Sequence, residues 1–203
     1  VSLLTGGMTL HRLMVLGPIP STSDLLEGLR QDAFRPFEDG LEEERLGWCD
    51  WRKPMAWPDP DWVEQDRFWA FGLRIDTRKI PGELLKAKVD ERLQQLQQEK
   101  DLAFVGKEAR VSIADEVKAE LLQQVLPSMK VAHVIWDPKG GLVFTTATSG
   151  KAQSALVGLF LKSFGCELQL LAPLALAARV APALSTDALL AMDPLDLTLE
   201  GAE

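Results

Sequence analysis

A chain of 203 residues, 46% of them hydrophobic, can bury a sizeable core as one large domain, or as a domain with an attachment, without staples. Its two cysteines, Cys49 and Cys166, stand outside any CxxC or Cys/His spacing, which argues against a structural disulfide or zinc site and suits a reducing, cytoplasmic compartment. No apolar run reaches the roughly 18 residues of a membrane span, no basic-then-apolar leader opens the chain, and a net charge of −8, taken by itself, argues against nucleic acid as a partner.

Residues 1–7, which end in a Gly-Gly pair, are read as an extension outside the fold. Residues 8–16 read as a strand, and a helix follows with Pro18 and Pro20 before it and Ser21 or Ser23 as its cap. A second strand is expected near residues 46–51. The tryptophan- and proline-rich run 51–62 is expected as a loop, because proline cannot donate to a central ladder. Residues 68–75 alternate as a third strand, and Pro81 opens a long helix in the first-turn position. Leu84, Leu85, Val89, Leu93 and Leu96 form its stripe, to about Lys100. A second stripe, Val111, Ile113, Val117, Leu121, Leu122 and Val125, runs to Pro127, so the two predict a helical hairpin. Residues 131–136 and 142–147, joined by Asp137-Pro138-Lys139-Gly140-Gly141, predict a β-hairpin. Residues 149–164 predict a helix ended by Gly165, and 167–171 a last strand.

The order β-α-β-β, two helices, β-β-α-β predicts an α+β fold. Its sheet, antiparallel or mixed, is built from two similar β-α-β-β type halves with helices on one side, interrupted by the inserted helical hairpin. Residues 8–80 and 129–175 would form a discontinuous central domain, 81–128 the insertion, and 176–203 a tail too short for a domain of its own.

Charge is unevenly spread. Residues 38–66 hold ten acidic and three basic side chains, and five acids follow Arg179 with no base. By contrast, residues 67–80 hold Arg67, Arg74, Arg78 and Lys79 against Asp76. Residues 129–179 hold Lys130, Lys139, Lys151, Lys162 and Arg179 against Asp137 and Glu167. Two basic segments therefore lie within an acidic chain.

Catalytic motifs fail on inspection. Thr148-Ser149-Gly150-Lys151 sits between a strand and a helix as a phosphate loop would, but Thr145 stands where the first glycine belongs and Ala152 where the magnesium-binding hydroxyl belongs. A helix start with Lys151 beside it can still hold one backbone phosphate, or can be an ordinary serine cap with a solvated lysine. His11 and His133 fall inside strands without an acid or thiol at ligand spacing, and read as strand residues. Asp76, Asp137 and Glu167 could be offered to a two-metal nuclease, but each reads as a turn or strand-end acid. Trp69 and Trp136 read as core. Trp48, Trp51, Trp57 and Trp62 read as a lid over a sheet edge, with stacking on single-stranded bases as the other option. No cofactor and no enzymatic activity are expected.

Several stretches resemble one family. They are Ala-Glu-Leu-Leu-Gln-Gln-Val-Leu-Pro (119–127), Val-Ile-Trp-Asp-Pro-Lys-Gly-Gly-Leu-Val (134–143), Ala-Thr-Ser-Gly-Lys-Ala (147–152) and Leu-Lys-Ser-Phe-Gly (161–165). Phe34-Arg35-Pro36, Leu46-Gly47-Trp48, residues 74–81 and 194–199 follow in the same order. Together they resemble the recombination-associated RdgC family, over nearly the whole chain. The resemblance implies a cytoplasmic, nucleoid-associated protein that binds double-stranded DNA without sequence preference and restrains recombinase filaments. It implies a ring-shaped dimer whose subunits join through a helical tip, here 81–128, and a C-terminal base domain. The tail 176–203 would be a remnant of that base domain. The family's exonuclease label finds no support in these residues. Two departures matter: the chain stops where the base domain would start, and basic residues expected around the tip read Asp101-Leu-Ala-Phe-Val-Gly106 and Ser128-Met-Lys-Val-Ala132. Arg74, Arg78, Lys86, Arg92, Lys151 and Lys162 fall on positions that are basic in the family pattern, and are the expected contacts to DNA phosphates, weak and salt-dependent. The alternative on the same scaffold is a protein-interaction or regulatory module that has lost DNA binding.

Overall fold

The computed structural model describes residues 7–38, 42–101 and 104–171, with isolated positions at 176, 177, 180, 187, 188 and 191. The expected tail 176–203 therefore lies largely outside the described residues. Five helices and seven strands are present among the described residues: β1 (His11–Leu16), α1 (Thr22–Gln31), β2 (Glu44–Cys49), α2 (Pro60–Val63), β3 (Glu64–Gln65), β4 (Phe68–Thr77), α3 (Gly82–Glu99), α4 (Lys107–Gln124), β5 (Ser128–Asp137), β6 (Leu142–Thr145), α5 (Gly150–Phe164) and β7 (Glu167–Leu170). The fold is α+β. The strands form one antiparallel sheet in the order β2-β4-β5-β6-β1-β7, with the short β3 alongside β4, so that β1 sits between two strands from the far end of the chain.

Local chemistry explains the boundaries. Ser21 caps α1 by accepting from the Asp24 amide, and Ser149 caps α5 by accepting from the Ala152 amide. Gly165 ends α5 at φ 68°, a left-handed conformation in which a side chain is strained. Pro81 stands just outside α3, one residue earlier than the first-turn position expected for it. The run 51–62 is not loop throughout. Asp59 accepts from the Asp61 amide and Pro60 follows at the first helical position, so α2 forms there and leads into β3.

Register shows which face is core. Rows running across the sheet place Trp48, Leu73 and Ala132 together, then Phe71, Val134 and Thr145, then Trp69, Trp136, Val143 and Leu13. Helices α1 and α5 cover this face with Leu25, Leu29, Leu156, Leu159 and Phe160. The two helices pack so closely that a side chain on Gly28 would meet the Ser163 carbonyl at 2.5 Å. Aromatic rings interlock at the centre: Phe160 and Trp136 lie 4.7 Å apart, Trp48 and Phe71 5.1 Å, and Trp48 stacks on Phe164 at 5.6 Å. Trp48 corrects the sequence reading. It is no part of a lid but a fully buried core residue, whose indole Nε1–H donates to Ser163 Oγ at 2.8 Å.

The helical hairpin has its own small core. Ile113, Val117 and Leu121 of α4 pack on Ile80, Leu85, Val89, Leu93 and Leu96. No residue of α3 is fully buried. Among the described residues no helix is long and apolar enough to cross a membrane.

Candidate nucleic-acid interface

Strand period decides the fate of the two central arginines. Arg74 and Asp76 are two residues apart on β4, on the sheet face opposite α1 and α5, so their side chains meet. Arg74 donates to both Asp76 oxygens, from Nε at 2.9 Å and Nη2 at 2.6 Å, and from Nη1 to the Pro54 carbonyl at 3.2 Å. Its guanidinium covers the Phe34 ring at 4.0 Å. The hydrogen bond to Asp76 raises the Arg74 pKa, with burial acting the other way. Arg78 donates to the Glu42 carbonyl from Nε and Nη2, and from Nη1 to the Leu122 carbonyl in the last turn of α4, while covering Phe37 at 4.1 Å. Both side chains are buried, and both fasten chain to chain: Arg74 holds residues 34 and 54 over the sheet, and Arg78 ties the sheet to the hairpin.

The other four expected contacts are exposed. Lys86 and Arg92 lie on α3, whose surface mixes them with Glu83, Asp90 and Glu91, and Lys88 is paired with Glu91 at 2.8 Å. Lys151 and Lys162 are 69% and 70% exposed on α5. Eleven residues separate them, about 16 Å along the helix and nearly a whole number of turns, so both stand on the same side of it. Each carries a carboxylate: Lys151 pairs with Glu44 and Lys162 with Asp32. The six residues do not form one continuous stripe.

Register adds a cation that the sequence reading left out of the contact set. Lys130 pairs with Ile75, which pairs with Leu46, so it lies two strands, roughly 10 Å, across the sheet from Leu46. Lys151 reaches Glu44, two residues from Leu46, at that same end. The hairpin leaves the sheet here, after Thr77, carrying Lys86 in its second turn. The signal available in the sequence was the phase of β5, in which Lys130 follows the alternation of the residues facing α5.

Two of the candidate acids and two of the loop tryptophans are already engaged. Asp137 accepts from Arg67 at 2.9 Å and from the Gly140 amide at 3.0 Å. It lies at the other end of β5 from the residue paired with Asp76, about 26 Å away along the strand. Among the described residues no three histidine, cysteine, aspartate or glutamate side chains gather as a metal site would require. Arg52 lies 3.5 Å from the centre of the Trp62 ring, and Trp51 Nε1–H donates to the Trp62 carbonyl, so this pair is clamped to the fold. Trp57 is 63% exposed.

A family model described as "Putative exonuclease, RdgC" matches residues 8–189. The chain belongs to the RdgC family. No curated protein sequence matches it. Membership gives this RdgC-family chain a DNA-related role, tied to recombination. The Arg74 and Arg78 geometry meanwhile shows these two cations serving the scaffold.

Proposed function

We propose that this RdgC-family chain binds the DNA backbone without sequence preference, through the end of the sheet from which the hairpin departs. Lys86, Lys130 and Lys151 are the main contacts there, and Arg92 lies further along α3. The observation that carries the reading is the convergence of Lys130 and Lys151, from different elements, at the base of α3. The Ser149 cap leaves other first-turn amides of α5 beside Lys151, which favours an anion there. Arg74 and Arg78 act one step back, by holding β4 and the hairpin in position. The role is binding rather than hydrolysis, in keeping with Asp76 and Asp137, which are separated and already paired with arginines. We also propose that two copies meet through the hairpins, where Leu84, Val111 and Phe104 are exposed. An antagonism of recombinase filaments, and a place at the nucleoid, would follow from occupying the duplex.

A mobility-shift titration of a short duplex at two salt concentrations tests the reading. Binding should weaken by an order of magnitude or more between about 50 and 200 mM salt if several phosphates are contacted. Lys130→Glu with Lys151→Glu should weaken it further, with folding unchanged. Absence of a shift at low salt defeats it.

A second reading, a partner-binding module without DNA affinity, is favoured by the carboxylates that sit on the exposed lysines, Glu44 on Lys151 and Asp32 on Lys162. Under it the same titration shows no salt-dependent complex.

A further inference from the structure

A cavity of about 590 Å³ opens between the end of α1, the edge of β2 and the outer side of α5, a volume in the range of ligand sites. Its floor includes Leu46, Ala155 and Gly158. Gly158 is the informative residue. It lies inside α5, where glycine costs about 1 kcal/mol relative to alanine. Unlike Gly28, it has no close neighbour among the described residues to justify it, since a side chain built there meets none of them within 4 Å. The missing side chain leaves open space over the helix.

The wall supplies hydrogen-bonding groups. The Trp48 amide donates outward to the Asp32 carbonyl and its carbonyl accepts from the Phe34 amide, while the Arg78 amide donates to the Glu43 carbonyl on the β4 side. Odd residues of β2 therefore bond to β4 and even ones face outward. Two residues before Trp48, the Leu46 amide and carbonyl face the cavity side, and no partner for them is found among the described residues. At the rim, Lys162 is paired with Asp32, and Arg45 with Glu42. Arg35 has no ion pair among the described residues. Glu38 also lines the cavity, so the rim is not an anion trap. A polyanion fits poorly here, and among the described residues the cavity has no aromatic lining on which a base could stack.

We propose that this cleft binds an extended peptide segment of a protein partner: its backbone pairs with the free edge at Leu46, an aliphatic side chain enters over Gly158, and a neighbouring carboxylate meets Arg35. The mode is strand addition, in which main-chain bonds supply affinity and alternate side chains supply selectivity. The proposal goes beyond DNA binding and is independent of it.

The test is fluorescence anisotropy of the full chain with a labelled synthetic peptide, Gly-Ser-Leu-Asp-Leu-Ser-Gly. Gly158→Leu fills the floor and should abolish binding or weaken it at least tenfold, while the helix, freed of its glycine, melts at the same or higher temperature. Arg35→Gln should weaken binding severalfold for this peptide but not for its Asn counterpart, and the Leu46 amide resonance should shift on titration. Binding unchanged by Gly158→Leu, or no binding at millimolar peptide, overturns the proposal. It is overturned too if duplex DNA displaces the peptide and Gly158→Leu abolishes the duplex complex, which would assign the cleft to DNA.

Discussion

In the sheet layer Trp48, Trp136, Phe71 and Phe160 are fully shielded from water, whereas in α3 of the hairpin not one residue is fully buried. Both regions are amphipathic, but one face of a sheet covered by two helices encloses a core on every side, and two antiparallel helices enclose only a seam. The sheet core is therefore enclosed on both sides, while α3 of the hairpin is left with an open face. Phe160→Ala, which removes a ring packed on Trp136 and Phe164 at 4.7 and 4.8 Å, should cost about 3–5 kcal/mol in a urea titration and blur the near-ultraviolet dichroism of the tryptophans. Leu93→Ala in the half-buried seam should cost about 1–2 kcal/mol and leave that signal intact. Equal losses would mean that hairpin and sheet share one core.

The second contrast sets buried cations against exposed ones. Arg74→Ala leaves the Asp76 carboxylate, 2% exposed, without its partner, and should cost about 3–5 kcal/mol. Replacing both, Arg74→Met with Asp76→Leu, should recover most of that loss, because the pair's own desolvation disappears with it. Lys86→Ala and Arg92→Ala, on the exposed surface of α3, should stay within about 0.5 kcal/mol of the parent. If Arg74→Ala weakened DNA binding with no loss of stability, the arginine would be a contact after all.

How far the sequence could be read follows the same divide. Caps and turns are local, and Ser21, Ser149, Gly165 and the Asp137-to-Gly141 turn all mark true boundaries. Charge is local too, but burial is not. Arg74 and Arg78 count as cations in the sequence, and only the fold reveals that Asp76 and three carbonyl groups hold them. The i, i+2 spacing of Arg74 and Asp76 within a strand was a usable hint of a same-face pair. Trp48 was misplaced because three more tryptophans follow in the run 51–62, although it keeps step with Leu46 on the face toward α5. The cleft beside β2 draws on residues as far apart as 31 and 162, and its one trace in the sequence is the glycine inside a helix.

Cys49 separates the regions by pH. Burial raises its thiol pKa from 9.0 to about 12. The unfolded thiol ionises first as pH rises, so the folded state binds the extra proton and stability falls between those two values. The slope approaches about 1.4 kcal/mol per pH unit. Cys49→Ala should remove this slope from sheet unfolding. The thiol should also resist disulfide reagents until the sheet opens, whereas labelling at the pace of a free thiol in native protein would show that the sheet breathes at β2.

The smallest expected effect concerns the joint between the regions. Lys118 of α4 pairs with Glu43 beside β2, and this bond lowers the Glu43 pKa and raises that of Lys118. Its stabilisation is present above the ordinary glutamate value and is lost as pH falls through the lowered one. Because the pair is exposed, water and salt screen it, and Lys118→Ala should leave sheet unfolding unaltered. What should change is the Glu43 titration followed by NMR, whose midpoint moves up toward the ordinary range. Amide exchange in the last turn of α4 should stay slow, because Arg78 still holds the Leu122 carbonyl there. Faster exchange would make the surface pair, not the buried arginine, the fastening of hairpin to sheet. An unmoved Glu43 midpoint would mean that the pair is not formed in solution, leaving the joint to Arg78 and the apolar contacts of Ile80.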